Sequence, residues 1–281
     1  MPTFATLEPI SVTLSLGFVV ANVQVTAEDR DDTTVEVRPV DDSSKTDLKA
    51  AEQTRIEYAD GGLLVRAPKL GTLFTRTGAV DVTIALPAGS RVQGETGLGE
   101  LRCRGPIGEC RFKTGYGEIR LDRAASVNLR SGSGDITVDR VDGGAEITAG
   151  NGAVNIREID GPATVKNSNG SSWIGVVTGD LRVQAGNGDV TVDRAHAGVT
   201  AKTANGSLRV GEVLRGAVTL ETAAGSVEVG VRSGSAAWLD LDTRFGRVRN
   251  ELAVTAAPEG SDEAVQIRAR THIGDILIRR S

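Results

Sequence analysis

Gly134-Asp135-Ile136-Thr137-Val138, Gly152-Ala153-Val154-Asn155-Ile156, Gly188-Asp189-Val190-Thr191-Val192 and Gly206-Ser207-Leu208-Arg209-Val210 are one pattern written four times. Each is a glycine followed by aliphatic residues two and four positions later. The same glycine stands at Gly99, Gly117, Gly170 and Gly225, so the eight copies are separated by 18, 17, 18, 18, 18, 18 and 19 residues. Looser copies follow at Gly246 and Gly274. Apolar residues at alternate positions mark a strand with one buried face. A second alternating pair follows about nine residues later, as in Cys110/Phe112, Val127/Leu129, Ala145/Ile147, Ala163/Val165, Leu181/Val183 and Val199/Ala201. An aliphatic often fills the corner between the two strands, at Val141, Ile159, Val177 and Val213. Two such strands cannot bury a face alone, whereas coils stacked on one another can. The expected fold is therefore all-β: a single-stranded, β-helix-like solenoid with about 18 residues and two short strands per coil.

Composition agrees. Glycine supplies 35 of 281 residues and aromatics only 3%, which calls for a core of small aliphatics with many turns. Charged residues make up 25% and the net charge is −5, so no bulk basicity points to sequence-specific nucleic-acid binding. Residues 79–230 read as the regular coils. Residues 1–78 read as an N-terminal β-rich cap holding one short helix over Thr46–Gln53, with Ser43, Ser44 or Lys45 at its start. Residues 231–281 read as irregular coils and a C-terminal cap, with a longer loop through Pro258–Asp262 and a closing strand at Ile276–Arg280. The three regions are expected to form one continuous structural unit.

No basic leader precedes the first apolar stretch, and Ser11–Leu16 alternates as a strand does. No window approaches the length of a membrane span. Two cysteines, Cys103 and Cys110, are too few for a disulfide framework. These features lead to the expectation of a cytoplasmic chain with reduced thiols, with non-classical export to the cell surface as the alternative.

The iterated Gly-Asp-aliphatic-x-aliphatic units, as in Gly134–Val138 and Gly188–Val192, resemble a bacterial β-strand-repeat family of unknown function whose members are named "putative adhesins". The resemblance runs roughly from residue 10 onward. It implies the solenoid architecture and an adhesin-like role, and some members are similar to cell-envelope stress proteins.

Several residues invite a functional reading. The position before each repeat glycine is Asn151, Asn169, Asn187 and Asn205 in four successive coils, a spacing that stacks the amides into a hydrogen-bonded ladder holding the turn. The competing reading is a ligand site. On the outward positions of the second strand stand Arg111, Lys113, Arg130, Lys166, Arg182 and Lys202, with few acids. Such a row either keeps a flat sheet soluble or docks an anionic partner. Where the register calls for an aliphatic, Ser172 intervenes, and Trp173 falls on the outward side, as a packing site for an appendage or an exposed contact.

Other chemistries find no support. The Gly-x-Gly pairs open no helix and lack a third glycine, so no phosphate loop is expected. Carboxylates follow only half of the repeat glycines, too few for a calcium ladder. His196 and His272 occupy unrelated repeat positions, and both cysteines fall on inward registers. Neither a cofactor nor a metal is expected. The leading function is a non-catalytic scaffold or binding module for an unknown protein or anionic polymer. Behind it stand an exported surface adhesin or envelope-stress protein, and a polysaccharide-active β-helix enzyme, which would need long loops around a cleft.

Overall fold

The computed structural model describes residues 2–68, 78–252 and 264–281, which group into two compact units, Met1–Asp142 and Gly143–Ser281. Each is a stack of parallel two-strand coils, and the fold is an all-β solenoid with one helix.

The first unit contains β1 (Thr3–Ala5), β2 (Ser11–Glu28), β3 (Asp32–Pro39), α1 (Lys45–Gln53), β4 (Arg55–Ala59), β5 (Gly62–Arg66) and β6 (Ala79–Pro87). It continues through β7 (Arg91–Leu98), β8 (Leu101–Tyr116), β9 (Ile119–Ser133) and β10 (Ile136–Val141). The long strand β2 lies inside the stack: β5 and β6 pair with it on one side, β7 and the start of β8 on the other, all parallel. Beyond β5 and β6 the direction reverses. β4 pairs antiparallel with β5, β3 with β6, and β1 with β3. These antiparallel strands cover the edge that a bare parallel coil would expose.

Helix α1 packs against β3 and β6. Its N-cap is Ser44, whose side chain accepts a hydrogen bond from the Asp47 backbone N–H. Asp47 in turn accepts one from the Ala79 N–H at 3.1 Å, tying the helix to the start of β6. One face of the helix buries Ala50 against Gly78, where a Cβ would strike the helix backbone.

The second unit contains β11 (Ala145–Asn151), β12 (Val154–Ile159), β13 (Ala163–Asn169), β14 (Ser172–Val177), β15 (Leu181–Asn187), β16 (Val190–Ala195) and β17 (Val199–Asn205). It closes with β18 (Leu208–Val213), β19 (Gly216–Ala224), β20 (Val227–Val231), β21 (Ala236–Phe245), β22 (Val248–Asn250), β23 (Ala264–Ile273) and β24 (Ile276–Arg280). Residues eighteen apart are direct partners: Ala163 pairs with Leu181 and Leu181 with Val199, while Ser172 pairs with Val190 and Val190 with Leu208. The inward members, such as Val154, Val165, Val183, Val192 and Val210, are buried, so the core is a column of small aliphatics.

The turn between the two strands explains the repeat glycine. Gly170, Gly188 and Gly206 lie at φ +133°, +134° and +146°, and a Cβ on any of them would collide with the carbonyl oxygen of the glycine one coil below.

Spatial order departs from chain order at the C-terminal end. Coil β23–β24 stacks directly on β19–β20, and β21–β22, earlier in the chain, lies outside it. The corner glycines therefore run Gly225, Gly274, Gly246. The strands carry the reason. β23 alternates cleanly, with Val265, Ile267 and Ala269 buried, and suits a place between two neighbours. β22 has three exposed residues, the short strand expected at an edge. The loop expected through Pro258–Asp262 lies outside the described residues. Among the described residues, no helix is long and apolar enough to cross a membrane.

Candidate functional sites on the coil surfaces

The four asparagines preceding the corner glycines are exposed and joined in series. Asn169 Nδ2 donates to Asn151 Oδ1 at 3.0 Å, Asn187 to Asn169 at 2.8 Å, and Asn205 to Asn187 at 2.8 Å. The series ends where Ala224 takes the next place, followed by Ile273 and Phe245. Phe245 is exposed and meets the His272 ring edge-on with centroids 5.9 Å apart.

Two residues before the asparagines runs a second column that the sequence reading did not single out. It faces inward and holds Asn167, Thr203, Thr222, Thr271 and Thr243, with Thr96 and Thr114 in the equivalent place of the first unit. The hydroxyls cap corner glycine carbonyls on the coil below: Thr222 that of Gly206 at 2.9 Å, Thr271 that of Gly225 at 2.8 Å, and Thr243 that of Gly274 at 2.8 Å. At Ala185 the column has no hydroxyl. Asn167 makes up the loss with a longer side chain, its Nδ2 reaching the carbonyls of both Gly152 (3.1 Å) and Gly170 (2.9 Å). It also contacts Ser172 Oγ at 3.3 Å, so the serine that breaks the aliphatic pattern is the buried partner of a buried amide. The signal was present in the sequence as threonine recurring three positions before the corner glycine, at Thr96, Thr114, Thr203, Thr222, Thr243 and Thr271.

Trp173 is half-buried on the outward side, and its Nε1–H donates to Asp193 Oδ2 at 3.1 Å. Cys103 and Cys110 are both buried free thiols; the hydrogen bond from Cys110 and burial push the Cys103 thiol well above its ordinary value, which leaves it a packing residue at neutral pH.

The basic residues fall into two groups. In the first unit, Arg111, Lys113 and Arg130 line a trough of about 670 Å³ on the outer sheet surface. One wall is the row Thr13, Gln93, Arg111, Asn128; the other is Ser15, Glu95, Lys113, Arg130. Between them the floor is the backbone of Leu14, Gly94 and Phe112, which pair in register. Leu14 and Phe112 turn their side chains into the core, and a Cβ on Gly94 would strike the Cβ and carbonyl oxygen of Leu14. Arg111 pairs with Glu109 at 2.9 Å, and Glu95 is the one carboxylate of the lining. In the second unit, Lys166 lies between Thr148 and Gln184, and Arg182 between Thr164 and Thr200. Lys202 pairs with Glu221 at 2.7 Å. Lys166 and Lys202 are two coils apart on one row, about 10 Å.

A second trough, also about 670 Å³, crosses β19, β23 and β21. One wall is Ala217, Gln266 and Trp238; the other is Thr219, Arg268 and Asp240. Trp238 is 79% exposed. Arg268 Nε lies 2.8 Å and Arg270 3.4 Å from Asp240 Oδ2, and these guanidinium groups hold the Asp240 carboxyl below its ordinary range. The sequence reading passed over this site because its neighbours are set by the exchanged coil order. The alternation in Trp238-Leu239-Asp240-Leu241-Asp242 against Gln266-Ile267-Arg268-Ala269-Arg270, acid facing base, is the signal that marks the pairing. Among the described residues, no group of three or more His, Cys, Asp or Glu is placed to hold a metal ion.

No curated protein matches this chain. Among solved structures it is similar to a "putative adhesin" from Parabacteroides merdae ATCC 43184, at 12% identity and TM-score 0.46, covering 81% of this chain and 94% of that one. A "putative adhesin" from Bacteroides fragilis NCTC 9343 is similar at 10% identity and TM-score 0.38, covering 99% and 95%. A "putative lipid binding protein" from Parabacteroides distasonis ATCC 8503 follows at 14% and 0.34, covering 98% and 95%. A family model described as Toastrack DUF4097 matches residues 13–279, nearly all of the chain, and the chain belongs to that family.

Proposed function

We propose that this protein is a non-catalytic binding module whose coils present an anionic polymer with cations at regular spacing. The observation that carries the reading is the first-unit trough, where Arg111, Lys113 and Arg130 line one shallow surface with Glu95 as the single acid. The net charge of the chain is −5, so this concentration of positive charge is local rather than a property of the whole surface. In the second unit, Lys166 and Arg182 lie among threonine and glutamine rather than acids, which extends the same character along that stack. A rigid repeat suits a polymer because each shallow contact is weak and many act together. The troughs also favour binding over turnover. Glu95 has no second carboxylate in its lining, and Asp240 is engaged by two arginines, so neither supplies a free acid–base pair.

The test is retention on immobilised dextran sulfate. Lys113→Glu combined with Arg130→Glu is expected to weaken binding roughly tenfold or more at 0.15 M salt, and raising salt to 0.5 M to release the parent protein. Unchanged retention of the double variant, or retention indifferent to salt, removes the reading. Cell fractionation separates an intracellular scaffold from a surface adhesin.

A further inference from the structure

We infer that the trough across β19, β23 and β21 is a saccharide-binding site for a neutral pyranoside with a flat, equatorially substituted ring. Its central feature is Trp238, an indole 79% exposed on the outward face of the last coil. An exposed aromatic plane is matched by a ligand with one apolar C–H face, and the quadrupole of the ring favours the polarised hydrogens of that face. The remaining groups suit hydroxyls. Gln266, beside Trp238 in the register, offers an amide that both donates and accepts, and Thr219 offers a hydroxyl with the same dual capacity. Across the trough, Asp240 and Arg268 place a fixed acceptor next to a fixed donor, held together at 2.8 Å. A sugar hydroxyl, at once donor and acceptor, uses such neighbouring pairs better than any other common ligand group.

Charge decides against the alternatives. The lining carries one carboxylate and one guanidinium, so an anionic polymer gains nothing here that the first-unit trough does not offer more strongly. The walls are two residues apart along each strand, about 7 Å, and three strands span about 10 Å, which seats one ring rather than an extended helix or a bilayer patch. The floor is the pleated backbone over Val218, Ile267 and Leu239, rigid because Val218 and Ile267 are buried in the core. A preformed site of this kind needs little ordering on binding.

The protein has two tryptophans, so a ¹H–¹⁵N correlation spectrum shows two indole signals, with Trp238→Phe identifying that of Trp238. Titration with cellotetraose and N-acetylchitotetraose is expected to shift the Trp238 signal but not that of Trp173, with Kd on the order of 1 mM for such an open site. Trp238→Ala is expected to weaken binding by about tenfold or more, and Trp238→Phe to restore part of it. Binding is expected to be the same at 0.05 and 0.5 M salt, and unaltered in the Lys113→Glu/Arg130→Glu variant, so this site and the polyanion face fail separately. No shift at 10 mM of either probe, full binding by Trp238→Ala, or Trp238-dependent self-association in place of sugar binding would each overturn the inference.

Discussion

At Gly188 the backbone sits at φ +134° and the carbonyl oxygen of Gly170 occupies the space where a Cβ would go. Both obstacles act together, since the conformation disfavours any side chain and the neighbouring coil cannot retreat without opening the stack. Gly188→Ala is expected to destabilise the protein by about 3 kcal/mol, measured by urea unfolding. Asn167 is the second residue whose neighbours leave little choice. Its amide serves the carbonyls of Gly152 and Gly170 and the hydroxyl of Ser172. Asn167→Ala leaves these buried acceptors without that donor and is expected to cost about 2 kcal/mol. Asn167→Thr restores the hydroxyl found at Thr203 and Thr222 and is expected to cost about half as much, in the same assay. The corner glycines were legible from their spacing alone. Asn167 was not, because the spacing places Ser172 inward but says nothing of an amide that reaches it and the carbonyls of Gly152 and Gly170 together.

Between elements, the outward side chains tie strand to strand. Asp142, just after β10, accepts from Arg123 of β9 and from Arg140 of β10, each at 2.7 Å. These two guanidinium groups hold its carboxyl below the ordinary 3.8. A depressed value in the folded state means that the pair stabilises the fold above the ordinary pKa, and that this contribution disappears as pH falls through the lowered one. Asp142→Asn is expected to reduce stability by less than about 1 kcal/mol at pH 7, because the groups are substantially solvated, and by nothing measurable near pH 2. Urea midpoints at the two pH values check this. Strand existence was readable from alternation. The fusion of Ser11–Glu28 into one long strand was less so, because Gly17 at φ +55° looks like punctuation in the sequence and acts as an irregularity within the strand.

At the scale of the whole molecule, an 18-residue interval sufficed to announce stacked two-strand coils, and the run Thr46–Gln53 announced the helix near the start. It did not reveal which coils are neighbours at the ends. Gly274 keeps both aliphatics, Ile276 and Ile278, whereas Gly246 is followed by Val248 and Asn250, and this difference together with the complementary charges of β21 and β23 accompanies the observed order. The basic residues at 111, 113 and 130 were visible in the sequence, but the trough they line depends on the pairing of β7 with both β2 and β8, which places Thr13, Ser15, Gln93 and Glu95 beside them. Trp238 fell in the region where register had to come from pairing.

The exchanged order of coils has a mechanical meaning. β2 is held by β5 and β6 on one flank and β7 and β8 on the other, and β24 is held between β20 and β22. Tension applied along β2 or β24 must slide each against two neighbours at once. The ladders on both flanks then share the load in shear, instead of tearing open bond by bond as an outer strand would when peeled away.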